Sequence, residues 1–275
     1  MWSFSQILII HALGLPILIV TTLENSLKMT ESFKFYEVGG KIRDELLGLK
    51  SRDVDYVAVP TNELLYKDYT AEEMFKLLYA DLAMEKFEIF LVTPECYTIR
   101  AKFPEGYKYQ GVADFVMARK EVSYPPGTRI PIVQPGNLYD DLSRRDFTVN
   151  AMAKDPDTGE IIDYFGGMED LRNRVLMTPL DPLTTLDDDP LRVLRGVRFA
   201  ITKGFVIPKD LMYIIQHYPY KHKMYVVSEE RIREELTKCF KCNTIETLEF
   251  LHEIPRLRDY IFERTNLWLK PTNEK

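Results

Sequence analysis

Residues 35–59, FYEVGGKIRDELLGLKSRDVDYVAV, constrain this chain more than any other stretch. A short apolar run ends in Gly39-Gly40, an amphipathic segment follows from Lys41 to Leu49, and a second strand-like run carries Asp53 and Asp55. Residues two apart on a strand share a face. Asp53 and Asp55 are therefore predicted to project together, with Val54 turned to the core. Two carboxylates on one rigid strand suit a divalent metal held beside a phosphate. Paired glycines ahead of a helix let the backbone approach a ligand and offer amide N–H groups to an anion. Arg43 falls in the first turn of that helix, where the dipole disfavours a cation, and a nearby anion would account for it. Taken singly, a Gly-Gly is a turn and an Asp-x-Asp a solvated strand face. Strand, Gly-Gly, helix, strand and Asp-x-Asp in succession are far more specific. No Gly-Lys-Ser/Thr follows the glycines, so this is not a P-loop.

GGKIRDELLG followed by SRDVDYVAV resembles the start of the catalytic head of class II CCA-adding enzymes and bacterial poly(A) polymerases, in the polymerase-β-like nucleotidyltransferase superfamily. Later segments extend the resemblance. GVADFVMAR, 111–119, reads as a strand, and the match of DFVMARKE puts Asp114, Arg119 and Glu121 in register with the family's acidic and arginine positions. The resemblance makes Asp114 a third catalytic carboxylate; alone it reads as a surface residue. RRDFTVNA, 144–151, is nearly the family's RRDFTINA. By that match Arg144, Arg145, Asp146 and Asn150 bind nucleotide. Adjacent arginines suit phosphate and ribose, because a guanidinium grips oxyanions in pairs, and Asp146 can orient an arginine or accept a ribose hydroxyl. DDDPLRVLRGVRF, 187–199, places Pro190 in the first turn of a helix, and its arginines at 192, 195 and 198 form one stripe. It resembles the family's E-D-x-x-R motif, whose Asp and Arg template the incoming CTP and ATP; by position these are Asp189 and Arg192. Arg195 and Arg198 would then face phosphate. The usual glutamate is Asp188 here, one methylene shorter, a departure that bears on base selectivity rather than on the chemistry.

Around these motifs the chain reads simply. TAEEMFKLLY, 70–79, is an N-capped helix covering the sheet. Residues 87–92 and 97–103 are strands about a turn at Pro94, and 122–137, with four prolines, is a loop. In 140–153, Leu142, Phe147, Val149 and Met152 could cover one helical face. SEERIREELTKC, 228–239, begins an amphipathic helix resembling the family's neck, its charged residues read as ion pairs, and 244–264 as two short helices. Net charge of −6 argues against broad nucleic-acid binding but not against a local basic cleft. Three cysteines, 96, 239 and 242, make no disulfide framework. They fit a reducing, cytoplasmic setting, and Cys239-x-x-Cys242 lacks the second pair of a zinc site. ILIIHALGLPILIV, 7–20, is shorter than a membrane span of about 20 residues, and residues 1–28 are read as an apolar extension outside the fold, with Met29 an alternative start. Family members continue into helical body and tail domains that grip tRNA, of which little is present here.

The expected fold is α+β. A nucleotidyltransferase head, residues 29–175, carries a mixed, mainly antiparallel sheet of about five strands with helices on one side. An all-helical neck and short body, 176–275, follow, with the active cleft between head and neck. The resemblance implies template-independent two-metal nucleotidyl transfer. Asp53, Asp55 and Asp114 are the catalytic residues, Asp53 and Asp55 the ligands of Mg²⁺. Gly39, Gly40, Arg43 and Arg119 join the nucleotide contacts. The implied partners are a tRNA 3′ end, CTP and ATP, with no membrane and an open oligomeric state. A-only addition as a poly(A) polymerase, an RNA-binding protein with an inert head, and a partial enzyme needing a partner are the alternatives.

Overall fold

A computed structural model describes residues 32–49, 54–107, 109–125, 127–128 and 130–265. Asp53 and the apolar run at 7–20 lie outside the described residues. Two compact units interleave along the chain: the first holds residues up to 123, 132–143 and 152–164, the second 124–131, 144–151 and 165 onward.

The first unit opens with β1 (Phe33–Val38), α1 (Gly40–Leu46), β2 (Asp55–Pro60), α2 (Glu63–Asp68) and α3 (Ala71–Met84), then β3 (Glu88–Thr93), β4 (Thr98–Lys102) and β5 (Val112–Met117). It continues through β6 (Arg119–Ser123), β7 (Ile132–Pro135), α4 (Leu138–Ser143), β8 (Met152–Lys154) and β9 (Ile161–Asp163). Seven strands form one sheet in the order β3-β4-β5-β2-β1-β8-β9, and β6 pairs with β7 apart from it. Within this sheet β2 and β5 pair in parallel, and the other described pairs are antiparallel. The sheet is thus mixed and mainly antiparallel, as expected. It has seven strands rather than about five because two three-residue strands, β8 and β9, extend the β1 edge.

α3 starts at a capping box. Thr70 Oγ1 accepts from the Glu73 amide at 3.3 Å, and Glu73 accepts from the Thr70 amide at 2.8 Å. Its Met74, Phe75, Leu78 and Leu82 pack on Tyr56, Ala58, Ile99, Phe115 and Met117 from the sheet. Tyr56 stacks on Phe115 with ring centroids 5.5 Å apart. The buried Tyr56 hydroxyl donates to Glu37 Oε1, which also accepts from Lys41 at 2.8 Å. Burial, with Glu37 adding to it, pushes the Tyr56 hydroxyl well above its ordinary pKa.

Two expectations need correction. Residues 122–137 are not all loop: Lys120 pairs with Gln134 and Ser123 with Ile132. Gly136 makes this closure possible, because a Cβ there would lie 2.6 Å from the backbone of Arg119 and Lys120. Residues 140–153 are not one helix. α4 ends at Ser143, Phe147 is extended at φ −134°, and a 3₁₀ turn spans Thr148–Asn150. Leu142, Phe147, Val149 and Met152 are all buried, as expected, but from three different elements. The helix stops because the Asp146 side chain captures the Phe147 amide at 2.8 Å, the competition that makes Asp a helix breaker.

The second unit is helical: α5 (Gly167–Asn173), α6 (Pro182–Asp188), α7 (Leu191–Lys203), α8 (Lys209–His217), α9 (Tyr220–Lys223), α10 (Glu229–Cys242), α11 (Thr244–Glu253) and α12 (Pro255–Thr265). Ser228 and Asn243 cap α10 and α11 through the amides of Arg231 and Glu246. Among the described residues no helix is long and apolar enough to cross a membrane.

Candidate active site

Register builds the first half of the site. Asp55 on β2 lies opposite Asp114 on the parallel β5 and opposite Val38 at the end of β1. Asp114 in turn faces Arg100 on β4, and Arg100 faces Leu91 on β3. In-register neighbours share a face, so Val38, Asp55, Asp114, Arg100 and Leu91 form one row across the sheet. The other face, with Tyr56, Ile99 and Phe115, is sealed beneath α3. Asp114 is gripped in bidentate fashion: Arg100 Nε and Nη2 donate to its two oxygens at 2.7 and 2.6 Å. Each carboxylate oxygen keeps a second lone pair. Hard oxygen donors on adjacent strands fit a divalent cation of the Mg²⁺ or Ca²⁺ kind. Among the described residues no cluster of three such ligands forms; Asp53 is outside them.

Gly39-Gly40 directly follows Val38, so the turn abuts the carboxylate row. Each glycine is needed for a different reason. Gly39 sits at φ 79°, ψ −141°, which only glycine adopts freely. A Cβ on Gly40 would lie 3.2 Å from Arg43 Nη2, so its absence lets the Arg43 guanidinium fold over the helix start. Arg43 is 6% exposed and pairs with Asp44 at 2.9 Å; the anion beside it in this structure is a side chain. Gly39→Ala is expected to cost about 1–3 kcal/mol from backbone strain alone, read as a lowered urea midpoint with an unchanged slope.

Arg119 is committed locally. It donates to the Cys96 carbonyl, lies 3.4 Å from Glu121 and stacks 6.0 Å above the Tyr97 ring. Tyr97 ends the β3–β4 turn in the left-handed region, at φ 53°. Arg119 therefore braces that turn.

The second unit gathers the remaining candidates. Asp146 is buried, and its Oδ1 accepts from the Phe147 amide and from Asn150 Nδ2 at 2.9 Å. Its Oδ2 accepts from Arg195 Nε at 2.7 Å and from Nη2. Burial alone would raise its pKa. Arg195 and the Asn150 amide outweigh burial and bring the pKa down to about 2. Arg145 Nη1 reaches the Asn150 carbonyl at 3.4 Å. Arg192 clamps two backbone carbonyls, of Thr185 at 2.9 Å and of Arg144, tying α7 to the α6 end and to the Arg144 turn. Asp189 Oδ1 caps the start of α7 through the Leu191 amide at 3.2 Å. Arg198 pairs with the buried Glu235 of α10 and lies 4.3 Å over the Phe199 ring.

Sequence reasoning missed two supports. Arg100 stands midway in T-I-R-A-K, where alternation alone aims it away from buried Ile99 and Ala101; that parity was the available signal. Tyr218 donates to Asp187 at 2.9 Å while Lys223 pairs with it at 2.7 Å, fixing the acidic turn from residues about 30 positions away. No local pattern reports that.

A mixed sheet with acidic side chains paired across parallel strands at a Gly-Gly turn, joined to a helical unit, defines a nucleotidyltransferase head and neck. Residues 35–177, just over half of the chain, match the poly(A) polymerase head domain, and the chain belongs to that family, which includes the class II CCA-adding enzymes. Multifunctional CCA protein of Nitrosomonas europaea is 36% identical over 208 residues, spanning 74% of this chain and 43% of that one. A tRNA nucleotidyltransferase of Schizosaccharomyces pombe is 34% identical over 231 residues, 80% of this chain and 46% of that one. The crystal structure of the Bacillus stearothermophilus CCA-adding enzyme in complex with CTP superposes with a TM-score of 0.62 at 27% identity, covering 87% of this chain and 50% of that chain. A tRNA nucleotidyltransferase complexed with a primer tRNA and an incoming ATP analogue gives 0.61 at 28% identity, over 84% and 60%. The chain spans about half the length of the relatives it matches. Dependence on a divalent metal accords with the family.

Proposed function

We propose that this protein transfers nucleotides from CTP and ATP to the 3′ end of tRNA, building or repairing CCA. The observation that carries the reading is the register of Asp55 against Asp114 beside the Gly39-Gly40 turn. Asp53, Asp55 and Asp114 would hold Mg²⁺, which when bound lowers the pKa of the attacking 3′-hydroxyl and neutralises the triphosphate. Gly39, Gly40 and Arg43 receive the triphosphate. Arg144, Arg145 and Arg195, the last oriented by Asp146, meet phosphate and ribose, and Asp189 with Arg192 selects the base. Arg198 reaches phosphate only by giving up Glu235. Catalysis then rests on positioning and electrostatics, and no serine, cysteine or histidine nucleophile is required.

The test is extension of a tRNA lacking its 3′ CCA, with Mg²⁺ and CTP, ATP or both. C, C and one A are expected. Asp55→Ala should lose at least about a thousandfold in rate, the several kcal/mol that metal-borne charge stabilisation supplies, with an unchanged circular dichroism spectrum. A long A-only ladder would move the assignment to a poly(A) polymerase, the reading that the head-domain match keeps open. Absence of transfer under every mix would sink both.

A further inference from the structure

The row of Asp55, Asp114 and Arg100 does not stop at the metal candidates. β3 carries a bulge between Ile89 and Leu91. Phe90 is the additional residue, so Phe90 and Leu91 together oppose Arg100. Phe90 is 54% exposed, Leu91 50% and Val112, one step along β5, 47%. Lys102 stands opposite Val112 and makes a long 3.7 Å contact with Glu88. An apolar patch fringed by Arg100, which holds Asp114, and by Lys102, which lies beside Glu88, thus continues the carboxylate row at the sheet's edge, on the same face.

Chemistry assigns the two sides of this row. In phosphoryl transfer the attacking and leaving oxygens lie roughly in line on opposite sides of phosphorus. If the triphosphate enters at the Gly39-Gly40 turn, on the β1 side of Asp55, the attacking 3′-hydroxyl comes from the β5 side. The RNA behind it then crosses β4 and β3. From β5 to β3 is two strand spacings, about 10 Å, which about three nucleotides cover at about 3.4 Å of rise each. We propose that Phe90, Leu91 and Val112 form a platform on which the last bases of the RNA primer stack, with Lys102 and Arg100 meeting its phosphates. Exposed aromatics beside cations bind single strands in this way without reading sequence. This inference rests on the nucleotidyltransferase reading above and gives that site its primer side.

The experiment is anisotropy of a fluorescein-labelled tRNA lacking CCA, with Mg²⁺, alongside KM for CTP. Phe90→Ala combined with Leu91→Ala is expected to weaken RNA binding by about fivefold or more while KM for CTP stays within twofold. Phe90→Tyr, which keeps a ring, should bind as the wild type does. Lys102→Gln should flatten the slope of log affinity against log salt by about 0.7. RNA affinity within twofold of wild type in the double variant would overturn the platform. A wild-type protein that binds RNA through Phe90 yet adds no nucleotide would overturn the proposed function and leave the platform standing.

Discussion

Arg195→Ala is expected to destabilise the helical unit by about 3–5 kcal/mol, the cost of stranding a buried carboxylate. The magnitude follows from what Asp146 has besides Arg195. Among the described residues the Phe147 amide and the Asn150 side chain remain as donors, both to Oδ1, while Oδ2 loses both of the Arg195 hydrogen bonds it accepts. Asp146→Asn should cost less, because Arg195 is 33% exposed and can turn to water. The two variants also separate by pH. The Asp146 pKa falls from 3.8 to about 2 on folding. A depressed acid stabilises fully above its unfolded value and loses that contribution as pH falls through the folded one. About 2 kcal/mol should therefore be present at pH 5 and above and vanish between about pH 4 and 2. Urea unfolding at pH 7, 4 and 3 should show that acid limb in the wild type and a flatter one in Asp146→Asn. Activity should fall with Arg195→Ala by more than stability explains, because the same pair shapes RRDFTVNA. If Arg195→Ala unfolds with a wild-type midpoint, the pair is not the anchor of this turn.

The same motif shows what the sequence discloses and what it withholds. Its residues were legible as a set, since RRDFTVNA is hard to reach by chance, and Phe147 and Val149 were legible as core. Their conformation was not, because a side chain taking a backbone amide is a local competition that apolar spacing cannot report. Helix starts at Thr70 and Ser228 were readable from capping chemistry confined to three or four residues, and the one near Pro190 from proline's fixed φ, with Pro190 standing one residue before the helix rather than in its first turn. Asp55 was readable as a strand residue from alternation. Its partner Asp114 was named only through the resemblance, because the two meet by a parallel pairing between strands that β3 and β4 separate in sequence, and parallel register has no short-range signature. Arg100 fell into the same gap, and Glu235 was read as an ion-pair residue without its partner Arg198, because each pair closes only once the chain has folded. β8 and β9, at three residues each, are too short for periodicity to declare them.

Asp81→Asn is expected to stabilise the first unit by as much as about 2–4 kcal/mol at pH 8 and by almost nothing at pH 4. Asp81 is 3% exposed in the last turn of α3, and its Oδ1 has no hydrogen-bond partner among the described residues. Burial first, and then the charge of Glu85 one turn on, raise its pKa from 3.8 to about 7. The C-terminal end of a helix dipole opposes a negative charge there as well. At pH 4 the folded carboxyl is protonated and the unfolded one about half so, and below about pH 3 both are, so substitution changes stability there by well under about 1 kcal/mol. Between about pH 4 and 7 the unfolded chain ionises freely while the folded one resists, and the penalty grows to its full value above pH 7. Asparagine keeps the shape and removes the charge. The check is thermal or urea unfolding of both proteins across pH 4–8. A stability difference that widens with pH and levels off near 7 is the expected outcome. A difference independent of pH would mean that Asp81 is ionised throughout and held by a cation from outside the described residues. Catalysis gives an independent reading. Asp81 belongs to α3, which covers the face of Tyr56, Ile99 and Phe115, and Asp55 and Asp114 project from the other. A stabilised Asp81→Asn enzyme should therefore keep the wild-type rate, which would mark this carboxyl as a cost carried by the fold rather than a requirement of the chemistry.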